Sequence, residues 1–283
     1  MVGSEGGHGH GVVEAVARGA SQGKMSVKGN VMRKIPVVIA TVLGIVSGAI
    51  YSAPAQAAGS SYYCFHAYAP YDSYREFRLP LPHACKTRGY VLVSVGSSTN
   101  QILTVTALTR FTSYARFNAF ARSGSGWVHR NGAWTARIGG SGMALPGQKI
   151  EGDDLTPQGT YGFSFMFGVY SNPGVKFSWR HAYTYDVWDD DPASARYNLW
   201  TDERYYWPGI NPEPMHNVPA YDYAAVIAYN TARVPGAGSA IFLHVGTGSA
   251  TGGCVSLPTS ELLSILRWLA PTAAPRITIA VLA

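Results

Sequence analysis

A histidine and a cysteine ten positions apart are the part of this chain best equipped for chemistry. His244 closes the apolar run Ile241-Phe242-Leu243, and the loop Val245 to Ala250 leads into Thr251-Gly252-Gly253-Cys254. A thiol with the ordinary pKa of about 8.5 is mostly protonated at neutral pH. An imidazole brought beside it can take its proton or stabilise the thiolate as an ion pair. The two glycines allow backbone angles that a side chain forbids. They also let successive N–H groups converge where the oxyanion of a tetrahedral intermediate would form. Thr251 can hydrogen-bond the loop or the imidazole. The same residues also read as a buried cysteine in a glycine-rich turn near a core histidine. Spacing alone leaves both readings open.

The compartment bears on that choice. Met32-Arg33-Lys34 is basic, Ile35 to Ile50 is an apolar run of 16 residues, and Ala53-Pro54-Ala55-Gln56-Ala57 ends in an Ala-x-Ala pattern. That order marks a secretory signal peptide with cleavage expected near Ala57. A membrane span would need about 20 apolar residues. Residues 1–57 are therefore expected to be leader and signal peptide, with Gly7-His8-Gly9-His10 part of a low-complexity leader rather than a metal site. The expected location is outside the cell, in the envelope or wall. Spare thiols tend to pair there. Cys64 and Cys85 either pair, closing a loop worth about 3 kcal/mol, or stay free; pairing is the expectation. Cys254 is then the odd thiol, which in an exported protein is a liability or a reactive group.

Five of the 22 Lys+Arg and two of the 16 Asp+Glu lie in residues 1–57, so the remaining 226 residues carry a net charge of +3. No dense basic stripe accompanies this mild charge, which argues against nucleic-acid binding. No cofactor or metal site is expected, and the expected form is a monomer.

The elements that must position His244 and Cys254 are mostly strands. Residues 58–89 hold both Cys64 and Cys85 and show no clear period, so they read as an irregular N-terminal segment. Residues 90–283 read as one catalytic domain. Val91 to Val95 and Ile102 to Thr106 are β-branched runs separated by turn residues, which predicts a hairpin. Further strands are expected at Trp134 to Ile138, Tyr161 to Phe167, Ala224 to Tyr229, Ser239 to Val245 and Ile277 to Val281, separated by Gly, Pro, Asn and Asp. One helix is expected, with Thr259 as its cap, Leu262, Ile265, Leu266 and Leu269 as its core stripe and Pro271 as its stop. The fold class is mainly β with a few helices, a sandwich or barrel-like sheet. His244 thus ends a strand, and Cys254 stands just before the helix.

Between Ser171 and Tyr223 lies a long aromatic, polar stretch that includes Trp179, Trp188, Tyr197, Trp200 and Trp207. Such insertions often carry function. Most of these rings are expected to form a satellite core rather than a sugar-stacking surface. Trp188-Asp189-Asp190-Asp191-Pro192 is read as a surface turn in preference to a cation or amine site.

His244 followed by Thr251-Gly252-Gly253-Cys254 resembles the signature of the L,D-transpeptidase (YkuD-like) family of cell-wall enzymes. Lys149-Ile150-Glu151-Gly152-Asp153 and Thr156-Pro157-Gln158-Gly159-Thr160-Tyr161 resemble that family's acidic glycine turn and Thr-Pro-x-Gly-x-aromatic segment. Gly139 to Gly142, Tyr229-Asn230 and Gly238 to His244 extend the likeness over roughly residues 90 to 282. The chain departs from the better-known members in three ways. Gly252 stands where they have a histidine, the His-to-Cys loop is shorter, and Val255-Ser256-Leu257 follows the cysteine without their arginine. The resemblance implies an L,D-transpeptidase-like β-sandwich or barrel and a Cys254 thioester formed on peptidoglycan stem peptides. It further implies His244 as proton carrier, backbone N–H groups around Gly252, Gly253 and Cys254 as oxyanion donors, and acylation by carbapenem-like β-lactams. An amine acceptor would give a cross-link, and water would give carboxypeptidase trimming. A papain-like thiol hydrolase is disfavoured because it usually places Cys before His. A non-catalytic envelope-binding module would leave Cys254 without a role.

Overall fold

Strand Gln101–Ala107 is buried at every position, so it needs cover on both faces and partners on both edges. The rest of the fold supplies them. In the computed structural model, which describes residues 61–67, 74–76 and 89–282, the strands in chain order begin with β1 (Ser61–His66), β2 (Tyr74–Glu76), β3 (Tyr90–Val95), β4 (Gln101–Ala107), β5 (Tyr114–Ser123) and β6 (Gly126–Arg137). They continue with β7 (Gly142–Ala144), β8 (Leu155–Pro157), β9 (Gly159–Tyr161), β10 (Phe163–Gly168), β11 (Trp179–His181), β12 (Asp186–Asp189), β13 (Leu199–Asp202) and β14 (Glu213–Pro214). The last are β15 (Ala224–Ile227), β16 (Phe242–Val245), β17 (Val255–Leu257) and β18 (Arg276–Val281), with helix α1 (Thr259–Trp268) between the final two.

Ten of these strands form one sheet in the order β11-β10-β15-β16-β17-β6-β5-β4-β18-β9, curled into a half-barrel. One face carries the main core: Leu103, Val105, Phe117, Ile138, Leu243, Val245, Val255 and Leu257 pack with Leu262, Ile265 and Leu266 of α1. At about 25 cal/mol per Å² of apolar surface removed from water, burial of this kind is the main force holding the sheet curled. The mainly β expectation is met, and the helical stripe is core.

The expected hairpin does not form. β3 pairs with β1, in a small sheet of order β2-β1-β3, while β4 pairs with β5 and with β18. The turn between β3 and β4 instead carries the chain into a second layer. Val91, Val93 and Val95 join Tyr63, Phe65 and Trp127 over Ile102 and Phe120, covering the outer face of the large sheet. The segment expected to be irregular therefore contributes two strands. Its alternation was hidden by aromatic residues that pack on β4 and β5 rather than on a partner hairpin. Cys64 is disulfide-bonded. Cys85, its expected partner, lies outside the described residues, as does the whole expected leader and signal peptide.

Thr259 is the first residue of α1 rather than its cap. Pro258 occupies the cap position without a side-chain bond, and the first helical bond runs from the Leu262 N–H to the Pro258 carbonyl. Pro271 opens a short 3-10 turn beyond the helix. The aromatic insertion folds into a third sheet, β13-β12-β14. Its Trp188 and Trp200 pack with Phe167, Tyr221 and Phe242 on the second face of the large sheet, as a satellite core. Tyr205, Tyr206 and Trp207 remain exposed.

Candidate active site

β16 and β17 run parallel, with Leu243 beside Val255 and His244 beside Ser256. Side chains alternate between faces along a strand. Leu243 and Val255 enter the main core, and His244, Ser256 and Cys254 turn to the opposite face. There all three line one cavity of about 400 Å³. The connection 246–254 is shorter than the dozen or more residues a parallel crossover usually takes. It is pinned by backbone bonds from the Thr251 N–H to the Ile138 carbonyl and from the Gly140 N–H to the Thr251 carbonyl.

The peptide at Cys254 is fixed from two sides. Its carbonyl accepts the Thr251 hydroxyl at 2.8 Å and the Thr156 hydroxyl at 3.2 Å, while Thr156 Oγ1 accepts the Gly139 N–H at 2.8 Å. The Thr-Pro-x-Gly segment and the glycine turn before it thus meet at the cysteine. Gly139 must lack a side chain, because a Cβ there would lie 2.2 Å from the Asp154 carbonyl oxygen. Gly253 has φ of 142°, and a Cβ would come within 3.0 Å of the Leu155 carbonyl oxygen. Thr251 bonds the loop, not the imidazole: its oxygen also accepts the Gly253 N–H at 3.2 Å. Among the described residues, no acceptor faces the N–H of Gly252 or of Cys254.

Cys254 is buried, 7% exposed. Cys254 Sγ accepts the Phe242 N–H at 3.3 Å and donates to the Ala240 carbonyl at 3.2 Å. Ala240 has a positive φ of 51°, a costly conformation for a residue with a Cβ. Asn198 holds it there. Asn198 Oδ1 accepts the Ala240 N–H at 3.3 Å and the Trp188 indole N–H at 2.9 Å. Burial pushes the thiol pKa well up, and the nearby Glu213 carboxylate adds to this; the Phe242 N–H and the Lys149 ammonium oppose it.

His244 is also 7% exposed. Burial lowers its pKa to about 4, although carbonyls of Val245 and Ala220 facing the ring pull the other way. Nδ1 lies 2.8 Å from the Val245 carbonyl, which can only accept, so Nδ1 carries the proton and Nε2 keeps its lone pair. At neutral pH the pair is therefore a neutral thiol and a neutral imidazole rather than an ion pair.

The cavity wall joins the acidic glycine turn of the sequence to residues of the insertion. Lys149 is buried and ion-paired with Asp153, which also accepts the Ile150 and Leu155 N–H groups at 2.9 Å each. Glu151 accepts the Tyr197 hydroxyl and, at 2.9 Å, the Ser239 hydroxyl. Glu213 accepts the Tyr221 hydroxyl. Burial first, then the charges of Asp190 and Glu151, raises the Glu213 pKa to about 7. The acid run expected to be a surface turn is not one. Asp189 is fully buried at the end of β12, its carboxylate accepting the Ser194 hydroxyl, and Asp190 lines the cavity. Burial, followed by Glu151, raises the Asp190 pKa to about 6. The run faces inward because its strand is clamped between β13 and β14.

A family model of the L,D-transpeptidase catalytic domain (YkuD) matches residues 116–279, more than half of the chain. No curated protein matches. Among solved structures, one similar chain is the helical cell shape determining protein Pgp2 from Campylobacter jejuni, at 13% identity and a TM-score of 0.33. The match covers 64% of this chain and 47% of that one, so this chain spans about half of that protein's length. The family match takes in Thr156, His244 and Cys254 together with the strands that carry them, and the chain belongs to the L,D-transpeptidase (YkuD) family.

Proposed function

We propose that this protein is a secreted L,D-transpeptidase that cross-links peptidoglycan stem peptides through a thioester on Cys254. The observation that carries this reading is the shared cavity, in which parallel strands bring His244 and Cys254 to the same face.

Because both groups start neutral, the proton moves as the bond forms. His244 Nε2 takes the thiol proton while Sγ attacks the carbonyl carbon at the L-centre of a tetrapeptide stem. The N–H groups of Gly252 and Cys254, which have no acceptor among the described residues, receive the oxyanion. Gly253 serves by its backbone shape, since its N–H is taken by Thr251. The carbon–nitrogen bond to D-alanine then breaks, and His244 returns the proton to the departing amine. An acceptor amine attacks the thioester, the carbon–sulfur bond breaks, and Cys254 recovers its proton.

The arginine that follows the cysteine in better-known members has no counterpart, and the wall here is acidic instead. Asp190 and Glu151 suit an incoming ammonium, the acceptor amine before it loses its proton. Carbapenem-like β-lactams would acylate the same sulfur. Separation of the products from a tetrapeptide muropeptide tests the reading. Cross-linked dimers support transpeptidation, tripeptides alone point to trimming by water, and no product from any stem type favours an envelope-binding role.

A further inference from the structure

The Nδ1–H bond to the Val245 carbonyl holds one edge of the His244 ring, and Tyr221 packs against the ring from the side. Its ring meets the imidazole edge-on, with centroids 5.5 Å apart and planes at 90°. Tyr221 is itself buried and wedged edge-on against Phe167 and Phe242, each with centroids 5.5 Å away. Its backbone is tied as well, through the Tyr221 N–H to the Asn217 carbonyl at 2.6 Å and the Val169 N–H to the Tyr221 carbonyl at 3.0 Å. Its hydroxyl donates to Glu213, which stands on β14 of the insertion sheet, opposite Trp188.

We propose that Tyr221 is a positioning residue for His244, its ring setting the imidazole plane and its hydroxyl anchored by Glu213. This rests on the reading of His244 as the proton acceptor of Cys254. It gives the insertion a purpose: the three-stranded sheet carries Glu213 to the site, and Glu213 locks the tyrosine that steers the histidine. The charged groups around this pair are Asp190 and Glu151 beside Glu213, and Glu213 and Lys149 beside Cys254.

The test uses alkylation of Cys254 by iodoacetamide from pH 5 to 9, which reads thiol activation without any stem peptide. Thermal unfolding and the ring nitrogen resonances of His244 are followed in parallel. Tyr221→Leu should slow alkylation at pH 7 by about tenfold, as expected when a proton acceptor is misplaced. Tyr221→Phe keeps the ring and should recover most of that loss, with the Nδ1–H tautomer unchanged because the Val245 carbonyl sets it. Glu213→Gln should raise the alkylation rate toward the alkaline end of the range, because a negative neighbour of the sulfur is gone. A folded Tyr221→Leu protein with the wild-type rate across the whole range would overturn the proposal. If that variant fails to fold, Glu213→Ala, which frees the Tyr221 hydroxyl, takes its place, and unchanged His244 ring nitrogen resonances there overturn it instead. Muropeptide turnover that persists in such a case leaves the transpeptidase reading standing. Absent turnover with the alkylation pattern intact rejects only that reading.

Discussion

The Thr156 hydroxyl donates to the carbonyl of Cys254 over 3.2 Å, joining two residues 98 positions apart. The same oxygen accepts the Gly139 N–H, so one side chain fastens three loops at the nucleophile. Thr156→Val keeps the shape and removes both bonds. The Cys254 carbonyl keeps the Thr251 hydroxyl, but the buried Gly139 N–H is orphaned, which costs about 1–3 kcal/mol. The expected outcome is a lower urea midpoint together with slower acylation of Cys254. A variant with unchanged acylation would show that the loop holds its geometry without Thr156.

Gly253→Ala forces a Cβ into a left-handed-side backbone already tight against the Leu155 carbonyl. The substitution should cost more than about 1 kcal/mol and abolish Cys254 acylation even in protein that remains folded, because relief of the clash moves the Cys254 N–H. Circular dichroism and intact mass on the same sample check both halves.

Two buried groups give stability opposite pH dependences. His244 has its pKa lowered to about 4, so its contribution is complete above about pH 6.5 and is lost as pH falls toward 4. Glu213 is raised to about 7, so its contribution is complete below about pH 4.5 and is lost as pH rises through 7. Each limb is on the order of 3 kcal/mol at about 1.4 kcal/mol per pKa unit. In the wild type they largely cancel between pH 4.5 and 6.5. Glu213→Gln should therefore grow more stable across that range as pH rises, and His244→Gln less stable. Urea midpoints that move in the same direction for both variants would contradict the assignment.

Asp190 lines the cavity, and burial raises its pKa to about 6. If it receives the acceptor ammonium, Asp190→Asn should leave formation of the Cys254 thioester within about twofold of wild type. Cross-link formation should fall roughly tenfold relative to hydrolysis, as for loss of one charge-assisted hydrogen bond. Loss of the thioester step itself would place Asp190 on the donor side.

Much of the site could be read in the chain. His244, one residue from the end of β16, the glycines and Cys254 all lie close to where the local pattern put them, because strand alternation and glycine chemistry are local properties. Asn198, Glu213 and Tyr221 could not be read in this way. β14 is two residues long, Asn198 works through a single left-handed turn, and their partners Ala240 and His244 are distant in sequence. The hairpin between β3 and β4 failed for a related reason. Two β-branched runs joined by a turn look alike whether they share a sheet or cross between layers, and only the double-sided burial of β4 decides it.

The central claim is that Cys254 becomes acylated, and the intact mass of the purified protein after incubation with a tetrapeptide muropeptide tests it most directly. The account predicts an adduct of the stem less its terminal D-alanine, present in the wild type and absent in Cys254→Ala. A folded wild-type protein with a reduced Cys254 that stays at its starting mass across diaminopimelate and lysine stems, with no product released, would contradict it.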